Sequence, residues 1–146
     1  MKKKKPKYSL FKDIFNHQDK LLELYNALKG TDYSDAQAVD IIDLKDISPE
    51  CERNTLAFIL NNHLVIIENL FEVNASASLR MASLAKRIYK EIRDGSMNAK
   101  YKTHLRDIMK NTEIIVLYSG KEDYPAESTF RISDLLNKSG GGDHPA

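Results

Sequence analysis

The chain is predicted to be an α/β protein built on one mixed sheet, and three observations carry that prediction. Residues 54–70, NTLAFILNNHLVIIENL, set two apolar and β-branched runs around an Asn-Asn pair, the pattern of a hairpin. Segments near Leu10–Leu28 and Leu79–Arg93 carry apolar residues at helical spacing. Glu113 to Tyr118, EIIVLY, is apolar without alternation, as expected of a strand covered on both faces. The order helix, strand, hairpin, helix, strand places helices against a single sheet.

The opening MKKKKPK resembles the start of a signal peptide but lacks the apolar run that follows one, so residues 1–8 are expected to be a basic flexible tail. Ser9 is the expected N-cap of a helix from Leu10 to Leu28, and Gly30 its stop signal. Leu10, Ile14, Leu21, Leu24, Tyr25 and Leu28 form its stripe, with Glu23 at the edge pointing to water. Ala38–Leu44 is a candidate strand, and residues 45–53, with Pro49, a loop. In the hairpin, a two-residue turn at Asn61 and Asn62 requires positive φ at both positions, which Asn tolerates. Leu60 then faces His63, and Thr55 faces Glu68. Ala57, Ile59, Leu64, Ile66 and Leu70 share one face.

A helix over Leu79–Arg93 is expected to end near Gly95, with Leu79, Ala82, Leu84, Ala85, Ile88, Tyr89 and Ile92 toward the core. Lys86, Lys90 and Arg93 line another side of it. They are candidate phosphate contacts, although such rows are more often a solvated face. A short helix over 98–110, the strand 113–118, an edge strand at Thr129–Ile132 and a helical turn from Ser133 complete the domain, 9–137. Residues 138–146, rich in glycine, read as a flexible tail.

Length and composition fit one domain with a core of its own. The single cysteine, Cys51, excludes an intramolecular disulfide and suits a reducing compartment, so the expected location is cytoplasmic. No apolar run is long enough to span a membrane. The net charge is +1, but five lysines lie in the first seven residues, which leaves −4 for residues 8–146. That balance does not favour a nucleic-acid backbone as partner. The four histidines have no zinc spacing, and no phosphate loop, dinucleotide fingerprint or nucleophile elbow is present. What is left is metal-assisted carboxylate chemistry or binding without chemistry. Glu68, a carboxylate within an apolar strand, is the residue that needs explaining.

The segments FKDIFNHQDKLLELYNALKGTDY (11–33), the hairpin (54–70), SLRMASLAKRIYKEI (78–92) and VLYSGKEDYPAESTFRISDLL (116–136), in this order, resemble the recombination-promoting nuclease and transposase-associated branch of the PD-(D/E)XK superfamily. The resemblance covers about residues 8–136. It implies a PD-(D/E)XK-like core, a mixed sheet with a central hairpin flanked by helices, and an ancestry of Mg²⁺-dependent DNA endonucleases that usually continue further. It also implies a site with an Asp on the first hairpin strand and Glu-x-Gln on the second, where two carboxylates hold a hard cation. Those positions fall on Thr55, Glu68 and Leu70, and an acid on the first helix corresponds to Glu23. Only the Glu survives at the core positions. Glu52, Glu72 and Asp43 are the nearby carboxylates that would have to replace the lost one.

The expected function is therefore that of a catalytically degenerate nuclease-fold protein acting by binding, with no cofactor. A protein partner is favoured over nucleic acid, DNA being the second choice, and the oligomeric state is left open. Size, charge and family type suit an inhibitor in conflict between phage or mobile elements and host defence, in the manner of an anti-CRISPR protein or antitoxin. A decayed transposon gene without a selected role is another route to inactivity. The alternative is a weak Mg²⁺-dependent DNA endonuclease with Glu68 as central ligand. If Glu68 is an unpaired buried charge, Glu68→Gln is expected to raise stability.

Overall fold

The structure is a computed structural model that describes residues 7–51, 55–70, 76–95, 97–118 and 127–131. In chain order these form α1 (Lys7–Phe15), α2 (Gln18–Lys29), β1 (Val39–Ile41), β2 (Thr55–Leu60), β3 (His63–Leu70), α3 (Ala77–Arg93), α4 (Lys100–Thr103), α5 (Leu105–Lys110), β4 (Glu113–Tyr118) and β5 (Glu127–Arg131). The strands lie side by side in chain order. β3 and β4 run parallel, bridged by α3–α5, and the other neighbours are antiparallel. The molecule is thus mixed α/β, with one mixed sheet between two helical layers.

The hairpin sets the frame. Asn61 and Asn62 both have positive φ, 52° and 62°, as a turn of this type demands. The register pairs Leu60 with His63 and Thr55 with Glu68, as the sequence predicts. Alternation then divides the core in two. Ala57, Ile59, Leu64, Ile66 and Leu70 pack with Met81, Leu84, Ala85, Ile88 and Ile92 of α3 and with Ile108 of α5. Leu56, Phe58, Leu60, Val65 and Ile67 pack with Leu21, Leu22 and Tyr25 of α2. β4 is buried on both faces, with Ile114 and Val116 on one and Ile115 on the other.

Several boundaries differ from the sequence reading. The expected first helix is two helices, because the chain turns extended at His17 (φ −140°, ψ 147°), and Ser9 lies inside α1 rather than capping it. The break lets each half reach the sheet separately. Lys12 Nζ donates to the Thr55 carbonyl at 3.0 Å, and Gln18 Nε2 to the Val39 carbonyl at 2.7 Å. It also changes the phase: Phe11 and Phe15 lie against the core, whereas Ile14 is 47% exposed. Gly30 (φ 67°) ends α2 as expected, with its N–H on the Asn26 carbonyl.

β1 is shorter than Ala38–Leu44. A 3₁₀ turn over Ala36–Ala38 precedes it, and Asp43 accepts from the Lys45 N–H and bends the chain after it. The loop that follows is tied to α3 through Arg87, which donates to Ser48 Oγ and Glu50 Oε2. In α3 the buried stripe runs through Ala77, Met81, Leu84, Ala85, Ile88, Tyr89 and Ile92, while Leu79 is 65% exposed. Leu79 stands two residues, about 200°, from Met81 and so shares the outer face with Lys86. The region 98–110 is two short helices that meet at His104. The edge strand spans Glu127–Arg131 rather than Thr129–Ile132. The turn from Ser133, the carboxylates Glu52 and Glu72, and the tail 138–146 lie outside the described residues.

Candidate functional site

Glu68 sits near the end of β3, within reach of the first turn of α3. It points to the α3 face because it shares alternation with Leu64, Ile66 and Leu70, and it is 3% exposed. Its cation is Arg80, whose Nη2 donates to both carboxylate oxygens, at 3.3 Å to Oε1 and 3.2 Å to Oε2. One nitrogen bridging two oxygens is a looser contact than the two-nitrogen fork of the tightest arginine–carboxylate pairs. Arg80 keeps 42% of its side chain exposed, so solvent screens the pair from one side. This pairing corrects the expectation that Glu68→Gln would relieve an unpaired charge: that substitution takes a carboxylate away from Arg80.

Across the ladder, Thr55 is fully buried, and its hydroxyl has no hydrogen-bond partner among the described residues. Its carbonyl receives the ammonium of Lys12, so a second cation is tied to the same residue pair. Leu70 follows Glu68 on the same face and contributes only carbon to the α3-side core. Glu23 is elsewhere. It projects from α2, which covers the opposite face, and pairs in solvent with Lys20 at 3.6 Å. The structure therefore brings Thr55, Glu68 and Leu70 together and leaves Glu23 out. Asp43 is exposed beyond β1, where its carboxylate holds the Lys45 N–H. Lys86, Lys90 and Arg93 are exposed on the outer side of α3, and Asp94 pairs with Lys90 at 3.6 Å and Arg93 at 3.5 Å.

This donor set does not fit a hard divalent cation. Mg²⁺ requires near-octahedral oxygen coordination, commonly with one or two carboxylates. Here one carboxylate is already neutralised, its opposite residue is a neutral hydroxyl, and the third position is a hydrocarbon. Among the described residues no group of three acidic, histidine or cysteine side chains is placed to hold a metal.

A second buried glutamate, with no counterpart in the sequence reading as a site, lies at the other end of the sheet and on its other face. Glu113 opens β4 and accepts from Tyr25 Oη at 2.9 Å, Lys29 Nζ at 2.8 Å and His63 Nε2 at 2.9 Å. The His63 hydrogen bond, followed by those of Lys29 and Tyr25, brings its carboxyl down to about 2 against the opposing effect of burial. The signal available in the sequence was an acid at the head of a wholly apolar strand. A groove of about 400 Å³ beside β1 is lined by Asp40, Asp43, Asp46, Glu91 and Tyr101. The Tyr101 hydroxyl donates to Asp40, and burial together with that carboxylate raises its pKa.

No family model matches this chain, and neither a curated protein nor a solved structure is significantly similar to it. No helix among the described residues is long and apolar enough to cross a membrane.

Proposed function

We propose that this protein is a catalytically degenerate relative of the PD-(D/E)XK nucleases that acts by binding, with a protein as its partner. The observation that carries the reading is the hairpin pair. Thr55 stands directly across from Glu68, where the resemblance calls for a second carboxylate, and Glu68 is already compensated by Arg80. The element order supports the nuclease ancestry: helices, a strand, a hairpin, then a helical crossover to a strand parallel to β3. Charge supports the choice of partner. In the row Lys86, Lys90 and Arg93 of α3, Lys90 and Arg93 share Asp94, and carboxylates line the groove beside β1, whereas a phosphate backbone calls for a continuous basic face. A role as inhibitor in phage or mobile-element conflict with host defence is the setting we favour.

Cleavage of plasmid and linear DNA with Mg²⁺ or Mn²⁺ tests the loss of activity. The native chain is expected to cut no more than Glu68→Gln does. Cleavage by the native chain that disappears in Glu68→Gln would instead identify a weak metal-dependent endonuclease with Glu68 as central ligand.

A further inference from the structure

A carboxylate buried as deeply as Glu68 is costly unless a positive group compensates it. A metal ion and a guanidinium are alternative ways to do so, since both need the same two oxygens. Arg80 Nη2 already engages both. Its position follows from packing. Arg80 lies in the first turn of α3, with its N–H on the Ser76 carbonyl, beside Met81, whose fully buried side chain fixes the phase of the helix. Arg80 brings one positive charge to the one negative charge of Glu68, and the facing residue, Thr55, is neutral. Adding a divalent cation would bring two further positive charges against Arg80.

We propose that Arg80 is the built-in cation of this pole, and that the Glu68–Arg80 pair closes it to divalent metal ions. The inference rests on the degenerate-nuclease reading and specifies how that site is disarmed. Loss of a carboxylate at position 55 is only half of the change, and the guanidinium is the other half. Restoring the acid alone therefore leaves Arg80 in competition with a metal ion for the carboxylate oxygens.

The test is titration of Mn²⁺ into the native chain, Thr55→Asp, Arg80→Gln and the double variant T55D/R80Q, with circular dichroism to establish folding. The double variant is expected to bind Mn²⁺ about tenfold or more tightly than Thr55→Asp alone, a gap of at least ~1.4 kcal/mol. The native chain is expected not to bind. Equal binding by Thr55→Asp and T55D/R80Q would overturn the role of Arg80 and leave the degenerate reading standing. Binding by the native chain that is lost in Glu68→Gln would overturn both. If T55D/R80Q does not fold, a double-mutant cycle of Glu68→Gln and Arg80→Gln on the unfolding equilibrium decides. The double variant is expected to lose less than the product of the two single effects. Effects that simply multiply would overturn the pairing.

Discussion

The two buried glutamates have different chemistry and give different predictions. Glu113 is held by three donors and its carboxyl lies at about 2, below the ordinary 4.5. Because the folded value is the lower one, its stabilising contribution is complete above about pH 4.5 and is lost as the pH falls toward about 2. Denaturant titrations of the native chain and Glu113→Gln should differ by about 2 kcal/mol near neutrality, the scale of hydrogen bonds to a charged group. The difference should shrink across that acid window. A difference independent of pH would contradict the assignment. Thr55 makes the opposite prediction. Its buried hydroxyl bears an unmatched desolvation cost, so Thr55→Val, which keeps the shape, should raise stability by about 1 kcal/mol in urea unfolding. The facing of Thr55 and Glu68 was legible from the turn and period-two alternation. Arg80 was not, because the helix that carries it starts beyond a connection whose path no local pattern specifies.

Among the elements, the hairpin was the most legible and the first helix the least. An Asn-Asn pair between two β-branched runs fixes turn type and register together, since each is determined locally. Replacing Asn62 by Ala puts a Cβ without a compensating amide at φ 62° and should cost about 1 kcal/mol by thermal or chemical unfolding. An unchanged midpoint would show that the turn does not hold this conformation in solution. The break at His17 could not be seen, because a helical stripe continues through residues 10–28 and nothing near Asn16 forbids a helix. Tertiary ties from Lys12 and Gln18 to different strands make two helices better than one. The misassignment of Leu79 has a related cause. Two stripes fit the α3 sequence nearly as well as each other, and contact with β3 and α5 selects the one through Met81.

At the scale of the whole molecule, both faces of β2, β3 and β4 are covered among the described residues, which directs a binding role to edges and outer helix surfaces. The outer side of α3 is where the two partner classes separate. If the partner is a protein, charge reversal at Lys86, Lys90 and Arg93 should leave the salt dependence of any residual DNA affinity unchanged, because no phosphate contact is lost there. Weaker DNA binding with a shallower slope of affinity against salt, measured by fluorescence anisotropy, would transfer the role to phosphate contacts and count against a protein partner.

The sequence by itself determined the α/β class, the order of strands and helices, the hairpin register and the burial of residues 113–116. These depend on periodicity and on turn residues, which act over a few positions. Only the tertiary structure decided what compensates each buried carboxylate. Glu68 finds its cation 12 residues on, across a sheet-to-helix connection, and Glu113 collects Tyr25, Lys29 and His63 from α2 and the head of β3. Compensation of a buried charge depends on distances of about 3 Å between groups far apart in the chain, and packing, not local propensity, sets those distances.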